Sequence, residues 1–379
     1  MKHIHIFILA SALLSCNSEV NRKLPVDTAA TTETVNLFNN LEKIMDRGIM
    51  FGHQDDLAYG VNWKYEPGRS DIKDVTGDYP AVYGWELGHL ELGADMNLDG
   101  VPFDKMREFI KEGYERGGII TISWHGTNPM TGESAWAPSE GTVKSILPGG
   151  EKNALFNEQL DRVADFLLSL KGSKGEMIPV LFRPYHEHTG GWFWWGTVTP
   201  DEEYKALFRY TYNYLKDTRN VHHLLWVYNT GSEFTNAEEF LKRYPGDDVV
   251  DMVSFDTYQW GDAATDSTFI QHVDQRLGVI IDVAKEKGKI PLFGETGYGQ
   301  IPYPQWWTKR LLRAISNHRI LYVLVWRNAG LKPVEKQVEY FAPYEGHASA
   351  PDFVEFYNHP QTLFQKDITF EEIYGNGKK

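Results

Sequence analysis

The segment at residues 181–196, LFRPYHEHTGGWFWWG, sets one glutamate close to an arginine, two histidines and the run of four aromatic side chains WFWW. A second glutamate, Glu295, occurs much later in the chain within the motif FGETG. Two carboxyl groups about 5–5.5 Å apart can hydrolyse a glycosidic bond with retention, one protonating the leaving oxygen while the other attacks the anomeric carbon. Aromatic faces beside them can stack on the C–H faces of a sugar. Glu187 and Glu295 are therefore candidate catalytic residues of a glycosidase.

Eight short apolar runs follow one another from Ile49 onward, and each ends at a polar or aromatic residue beside a turn signal. Helical patterns separate most of them, although the first crossover, residues 56–78, is loop-like with room for only a short helix. Strands that alternate with helices form a parallel sheet, and eight units without a domain break predict one α/β domain, a closed (β/α)8 TIM barrel. The predicted strands are residues 49–55, 79–86, 118–125, 177–187, 222–229, 251–258, 289–297 and 320–328.

The active site of such a barrel lies at the C-terminal ends of its strands. Glu187 ends the fourth strand and Glu295 the seventh, which places them on facing parts of the mouth. Arg183, Tyr185 and Glu187 share one face of a regular strand, so Arg183 can stabilise a carboxylate there, and the sequence leaves open which one. We expect Glu295 to be ionised and Glu187 protonated, because two close carboxylates cannot easily both carry charge.

Other polar or aromatic residues also end predicted strands and so reach the mouth. His125 ends the third strand, and we expect it to contact the ligand. His53, Asp55 and Glu86 end the first two strands, and both structural hydrogen bonding and substrate contact fit them. The later strands end at Asn229, Tyr258 and Trp326 with Arg327.

A metal site is the alternative that the histidines raise, since His186 and His188 follow strand four and single histidines end strands one and three. In a regular strand these two side chains point to the same side, opposite to Glu187. The first strand also lacks the His-x-His pair of metal-dependent barrel hydrolases. We therefore predict no metal and no other cofactor. The acidic stretch 94–100 lacks EF-hand spacing and is predicted to be a solvated turn.

The motifs RPYHEHTGGWFWWG and FGETG, with FGHQDD, SWH and SFDTYQW, resemble those of glycoside hydrolase family 26, best known for β-mannanases. The resemblance extends from about residue 37 to the end of the chain. It implies a retaining mechanism with Glu187 as general acid/base and Glu295 as nucleophile. It further implies binding or orienting roles for His186 near the nucleophile and the sugar 2-hydroxyl, Tyr258 beside Glu295, Trp192 around the scissile bond, and His125 with Trp326 around the sugar under attack.

The function implied by this resemblance is hydrolysis of β-1,4-mannosidic bonds in mannan, galactomannan or glucomannan by a monomer. Exo action that releases mannobiose, and action on β-1,3-1,4-glucan or xylan, remain open alternatives. A carbohydrate-binding protein without catalysis is a further alternative, although such proteins usually lose one of the two glutamates. The segment 125–150 either walls off one end of the cleft or carries a stacking Trp136.

The N-terminus has a lysine at position 2, an apolar run at residues 4–14 and the chain's single cysteine, Cys16. The run is too short to span a membrane, and the pattern predicts a lipoprotein-type signal at 1–16, with an ordinary secretion signal as the alternative. Residues 17–34 then form a tether and 35–379 the catalytic domain. We expect an exported outer-membrane lipoprotein, periplasmic or at the cell surface, that contacts the membrane only through its lipid. The net charge of −14 disfavours nucleic acid as a partner.

Overall fold

The computed structural model describes residues 23–332 and 337–376. The predicted signal segment, Cys16 and the first part of the tether lie outside the described residues. Within the described ranges, no helix combines the length and the apolar composition that crossing a bilayer requires.

Eight parallel strands form the centre of the fold, and hydrogen bonds join each strand to the next. The sheet closes because β1 also pairs with β8, in register from Met50 opposite Tyr322 to His53 opposite Val325. The predicted (β/α)8 barrel is confirmed, with all eight predicted strands present. They are β1 (Ile49–Gln54), β2 (Val82–Glu86), β3 (Ile119–Trp124), β4 (Val180–Pro184), β5 (Leu224–Thr230), β6 (Met252–Asp256), β7 (Ile290–Thr296) and β8 (Tyr322–Val325).

Helices connect the strands and cover the outside of the barrel. The first crossover holds one short helix, as the loop-like sequence predicted, and two small hairpins stand at the mouth after β1 and β8. The α-helices of the described ranges are α1 (Thr32–Met45), α2 (Asp71–Thr76), α3 (Phe103–Glu115), α4 (Thr142–Ile146), α5 (Asn153–Ser169), α6 (Asp201–Asn213), α7 (Ala237–Leu241), α8 (Thr268–Lys287), α9 (Leu312–Ile315), α10 (Ala350–Tyr357) and α11 (Phe370–Tyr374). The hairpins pair Tyr59–Gly60 with Trp63–Lys64 and Gly330–Lys332 with Gln337–Glu339.

The hydrophobic core lies between the strands and this helical layer. Phe51 of β1 stacks on Phe364 with ring centroids 5.0 Å apart and meets Phe353 of α10 edge-on. The approach of α3 to β2 depends on Gly113, because a Cβ there would lie 2.9 Å from the Tyr83 ring. Dense packing of this kind holds the strand ends rigidly, so that side chains projecting from different strands keep a fixed geometry at the mouth.

The fourth strand ends earlier than predicted, at Pro184 rather than at Glu187. Tyr185 and Glu187 both have a φ of 52°, in the left-handed region that non-glycine residues seldom adopt. The alternation of faces therefore stops, and the Tyr185 hydroxyl is hydrogen-bonded to Thr211 of α6 at 2.8 Å. The expectation that Arg183, Tyr185 and Glu187 share one face is wrong for Tyr185. Strained backbone of this kind is concentrated at functional sites.

The described part of the predicted tether is packed against the barrel. The Val26 amide donates to Asp251 Oδ1 at 2.8 Å, and Asp27 Oδ2 lies 2.8 Å from His222 Nδ1. Thr31 caps α1, its side chain accepting from the Thr34 amide. The folded domain therefore includes residues before position 35, because buried polar groups on the barrel bind this segment.

Candidate active site

Glu295 ends β7 and is almost completely buried at the floor of the mouth. The Arg183 guanidinium donates to its Oε1, and the Tyr258 hydroxyl donates to its Oε2 at 2.9 Å. Arg183 Nη1 also donates to Asp256 Oδ2 at 2.9 Å. Arg183 therefore stabilises Glu295, which answers the question that the sequence left open, and a hydrogen-bond donor holds each oxygen of this candidate nucleophile.

Removal of the Tyr258 hydroxyl tests how much its hydrogen bond to Glu295 contributes to the reaction rate. We expect Tyr258→Phe to lower kcat by about 10²-fold. This is the lower end of the range seen when an enzyme loses one preorganised hydrogen-bond donor at its reacting group. Tyr185→Phe is a matched control, because it also deletes a buried hydroxyl but one that bonds Thr211 outside the barrel. Steady-state kinetics on one substrate for both variants is the measurement. Equal losses in the two would contradict a specific role for Tyr258.

Glu187 follows β4 and reaches the mouth from the opposite side. Trp192 Nε1 donates to its Oε2 at 2.8 Å. Carboxylate oxygens of Glu187, Glu295 and Asp256 all lie within 4.8 Å of one another, which is close enough for a retaining glycosidase, whose two carboxyl groups lie about 5–5.5 Å apart. Burial, and next the Glu295 carboxylate, raise the pKa of Glu187 to about 7. Glu187 is thus about half protonated at pH 7 and mostly protonated below it, as an acid catalyst must be.

The raised pKa of Glu187 predicts the pH dependence of the reaction. The group donates its proton only below its pKa of about 7, so kcat/KM should fall as the pH rises through this value. A pH–rate profile checks this. In Glu187→Ala, assayed with an activated aryl glycoside that needs no protonation, this alkaline limb should be absent. A wild-type profile that is flat from pH 6 to pH 9 would contradict the assignment.

Asp256, at the end of β6, is a member of the site that the sequence analysis did not single out. Asn229 Nδ2 donates to its Oδ2 at 2.7 Å, beside the bond from Arg183. Burial is the main cause that raises its pKa, and Glu295 and Glu187 raise it further against the opposing effect of Arg183. Asp256 lies in the motif SFDTYQW, so this motif could have identified it as a site residue from the sequence. Asp256 can take this position because residue 294 is glycine: a Cβ there would lie 2.6 Å from Asp256 Oδ1.

Two histidines form a hydrogen-bonded row beside the carboxylates. His125 Nδ1 lies 2.8 Å from Glu86 Oε2, and its Nε2 lies 3.0 Å from His186 Nε2. Burial lowers the pKa of His125, but the Glu86 carboxylate more than offsets this and the net pKa is raised. Burial and the charge on His125 hold the pKa of His186 well below its usual value. When protonated, the form that Glu86 favours, His125 donates to both Glu86 and His186.

Glu86 thus orients His125 and is itself fully enclosed. It accepts from Ser123 Oγ at 2.5 Å and from the His125 amide at 2.7 Å. His186 lies with Nε2 3.9 Å from Glu295 Oε1, close to the candidate nucleophile. His125 and His186 thus connect the buried Glu86 carboxylate to Glu295. Glu86 fixes the position of His125, and His125 in turn fixes that of His186.

The cleft above these groups has a volume of about 510 Å³, and aromatic rings form much of its wall. Trp136 and Trp192 line it with 50% and 40% of their surface exposed, and Trp326 lies beside them. Trp136 stacks on the His125 ring at 5.0 Å, so the segment 125–150 brings this indole to the cleft. Exposed indole faces next to paired carboxyl groups suit the C–H faces of a sugar.

Of the aromatic run after Glu187, one ring lines the cleft and three pack inside the protein. Trp192 lines the cleft, whereas Phe193, Trp194 and Trp195 are buried. Trp194 Nε1 donates to the Gly126 carbonyl and Trp195 Nε1 to the His186 carbonyl, each at 2.8 Å. The three buried rings therefore fix the loop that carries the candidate acid.

His53 and Asp55 lie below the cleft, where they make internal hydrogen bonds. His53 Nδ1 is 2.7 Å from Asp56 Oδ1, and Asp55 Oδ2 accepts from the Tyr59 hydroxyl at 2.5 Å. Neither is among the residues that line the cleft. The structure thus places both in supporting positions under the first loops of the mouth.

The acidic stretch 94–100 is not simply a solvated turn, as was predicted. The Asp99 side chain is enclosed and forms an ion pair with Arg327, which also lies 3.2 Å from Glu339 Oε1. The prediction failed because the partner, Arg327, comes from the loop after β8, which barrel closure brings next to the loop after β2.

The side chains of His186 and His188 do not lie together. The His188 ring packs between Tyr204 and Tyr228, with ring centroids 4.1 and 4.9 Å away.

A closed (β/α)8 barrel with two glutamates facing each other across its mouth defines a retaining glycoside hydrolase. The chain belongs to glycosyl hydrolase family 26, whose family model matches residues 26–321. This agrees with the family that the sequence motifs resemble.

Individual relatives support the same family. A mannan endo-1,4-beta-mannosidase from Bifidobacterium adolescentis is 36% identical over 278 residues, which cover 72% of this chain and 27% of the relative. One from Bacillus subtilis strain 168 is 32% identical over 273 residues, covering 67% of this chain and 71% of the relative. The solved structure of the GH26 β-mannanase BoMan26A from Bacteroides ovatus is 45% identical, with a TM-score of 0.86 and coverage of 91% of this chain and 97% of that chain. The chain therefore spans about a quarter of the first relative and most of the other two.

Proposed function

We propose that this glycoside hydrolase is a mannan endo-1,4-β-mannosidase that cleaves internal bonds of mannan, galactomannan or glucomannan. The observation that carries the proposal is the Glu187 and Glu295 pair, with oxygens within 4.8 Å, under an aromatic-walled cleft. The cleft lining extends from Trp136 after β3 to Glu233 after β5 and Glu339 after β8. It thus crosses the mouth and has room for sugars on both sides of the cleaved bond. The names of the relatives support mannan as the substrate.

In the first step, a Glu295 oxygen attacks the anomeric carbon from the side opposite to the leaving sugar. The bond to the glycosidic oxygen breaks while Glu187 transfers its proton to that oxygen, and a glycosyl ester on Glu295 results. Arg183 and Tyr258 hold the attacking carboxylate in place, so little reorganisation is needed as the bond forms.

In the second step, Glu187 changes from acid to base. Esterification removes the negative charge of Glu295, which is one of the causes that raise the pKa of Glu187. The pKa of Glu187 therefore drops, and the ionised carboxylate takes a proton from water as the water oxygen attacks the anomeric carbon. Glu295 leaves as a carboxylate, and two inversions give net retention.

Product analysis of the purified protein tests this proposal. Linear mannan, mixed-linkage β-glucan and xylan are incubated in parallel with the wild type and with Glu295→Ala as the inactive control. A ladder of mannooligosaccharides from mannan alone is the expected result. Early release of a single disaccharide would replace endo with exo action. Cleavage of glucan or xylan without cleavage of mannan would overturn the substrate and leave the two glutamates in their roles.

We further propose export as a lipoprotein anchored through Cys16, the single cysteine, which follows the apolar run at 4–14. Cys16→Ala should move the protein from the membrane fraction to the soluble fraction, because it removes the residue that carries the lipid. Immunoblots of separated fractions measure this. Continued membrane association of the variant would contradict lipidation at Cys16.

A further inference from the structure

A carboxylate that the proposed mechanism does not use lines the cleft on the side of the candidate acid. Glu233 lies in the loop after β5, and it lines the cleft together with Gly231 and Ser232. Its Oε2 accepts from the Thr189 hydroxyl at 2.6 Å, and Thr189 is two residues beyond Glu187 in the loop after β4. The Glu233 carboxylate is therefore joined directly to the loop that carries the candidate acid.

Contacts around the turn after β5 hold Glu233 in place. Thr189 Oγ1 also accepts from the Gly231 amide at 2.9 Å, so one hydroxyl binds both ends of the turn. The Ser232 carbonyl accepts from Arg276 Nε of α8 at 3.1 Å. Gly231 leaves the space that the carboxylate occupies, because a Cβ there would collide with Glu233 Oε2. These contacts preorganise the carboxylate, which lowers the entropic cost of binding a ligand to it.

We propose that Glu233 binds the leaving part of the substrate, by accepting a hydrogen bond from a hydroxyl of the sugar chain that departs with the glycosidic oxygen. Glu187 gives its proton to that oxygen, so the departing chain begins beside Glu187, on the side of the cleft that Thr189 and Glu233 form. Trp192, which donates to Glu187, also lines the cleft with 40% of its surface exposed. The leaving sugars thus meet an indole face for their C–H groups and a carboxylate for their hydroxyls.

The chemistry of the carboxylate favours a sugar hydroxyl as its ligand. A carboxylate only accepts, at about four lone-pair positions, and the Thr189 hydroxyl occupies one of them. Glu233 is exposed and lines the cleft, so a hydroxyl of the substrate can reach the carboxylate. A hydrogen bond to an ionised acceptor is about twice as strong as one between neutral groups. The inference rests on the proposed function and adds to it a residue that recognises sugars on the reducing-end side of the cleaved bond.

The experiment compares two substrates that have the same mannobiosyl group on the non-reducing side of the cleaved bond. In β-1,4-mannotetraose the leaving part is mannobiose, whereas in an activated aryl β-mannobioside it is a phenol without sugar hydroxyls. In Glu233→Ala, kcat/KM for release of mannobiose from mannotetraose should fall by about 10–100-fold, the range for loss of a hydrogen bond to a charged group. For the aryl mannobioside it should stay unchanged, because the aryl group offers no hydroxyl to residue 233.

Two further variants and a control sharpen the comparison. Glu233→Gln keeps the size and one acceptor oxygen without the charge, so its loss on mannotetraose should be smaller than that of Glu233→Ala. Gly231→Ala should lower kcat/KM on mannotetraose in the same direction, because the added methyl group displaces the carboxylate. Glu238→Ala is the matched control, since it also removes an exposed glutamate, but one in α7 that does not line the cleft. It should leave both substrates unaffected.

The outcomes separate the inference from the proposed function. Equal losses on the two substrates in Glu233→Ala would overturn the inference, because they would indicate general damage to the site. An unchanged kcat/KM on mannotetraose would also overturn it. Retained hydrolysis of the aryl mannobioside shows that the variant folds. Failure of the wild type to cleave mannotetraose would refute the proposed function itself.

Discussion

Glu295→Ala is expected to abolish turnover on every glycoside substrate, with a loss in kcat on the order of 10⁶-fold, the scale seen when a covalent nucleophile is removed from a hydrolase. The reason is that Glu295 is the carboxylate that both Arg183 and Tyr258 hold in place. The protein should still fold, because Arg183 keeps its bond to Asp256. Rates on a mannan-type substrate together with a thermal unfolding curve provide the measurement.

Azide distinguishes loss of the nucleophile from general damage to the site. In Glu295→Ala the space left by the carboxylate admits azide, which attacks the anomeric carbon of an activated aryl glycoside from the same side as Glu295 and displaces the phenolate. The product is a glycosyl azide of inverted configuration. An unchanged rate in the variant, or an azide product of retained configuration, would refute the assignment of Glu295.

Glu187→Ala is expected to lower the rate by about 10²–10⁴-fold on substrates whose leaving group is a sugar, the usual contribution of general acid–base catalysis. A sugar alkoxide departs only if it is protonated, and Glu187, with its pKa raised to about 7, is the group that holds a proton there. For activated aryl glycosides the first step needs no acid. Its rate should therefore decrease far less, leaving slow hydrolysis of the ester on Glu295 as the limiting step.

Comparison of leaving groups provides the control for this variant. A series of aryl glycosides of increasing leaving-group pKa should show a steep dependence of kcat/KM in Glu187→Ala and a shallow one in the wild type. Azide should accelerate the second step and give a product of retained configuration, opposite to the result for Glu295→Ala. Equal losses for good and poor leaving groups would argue against Glu187 as the acid.

Much of the architecture could be predicted because its signals are local in the chain. Each strand is an apolar run followed by a turn residue, and each long helix repeats apolar residues at helical spacing. Eight alternating units then allow few folds other than the closed barrel. The barrel in turn places the ends of the fourth and seventh strands across the mouth, so Glu187 and Glu295 could be paired from sequence.

Errors arose where the chain leaves regular structure. The left-handed conformations at Tyr185 and Glu187 ended the alternation of faces three residues before the predicted strand end. Because of this change, Tyr185 points to α6, and His188 packs between two tyrosines away from His186. Such conformations are maintained by tertiary contacts, among them the bond from Trp195 to the His186 carbonyl, and periodicity carries no information about them.

By itself, the sequence determined the barrel, the pair of glutamates and an aromatic-rich mouth, since these depend on residue type and on short-range periodicity. Only the tertiary structure decided that Arg183 binds Glu295, that Asp256 joins the carboxylates and that Asp99 pairs with Arg327. It also showed why the pKa of Glu187, which the sequence led us to expect as the protonated group, is raised to about 7: by burial and by the Glu295 carboxylate. The physical reason is that ion pairs and pKa values depend on distance and burial, which are set by parts of the chain that meet only when the barrel closes.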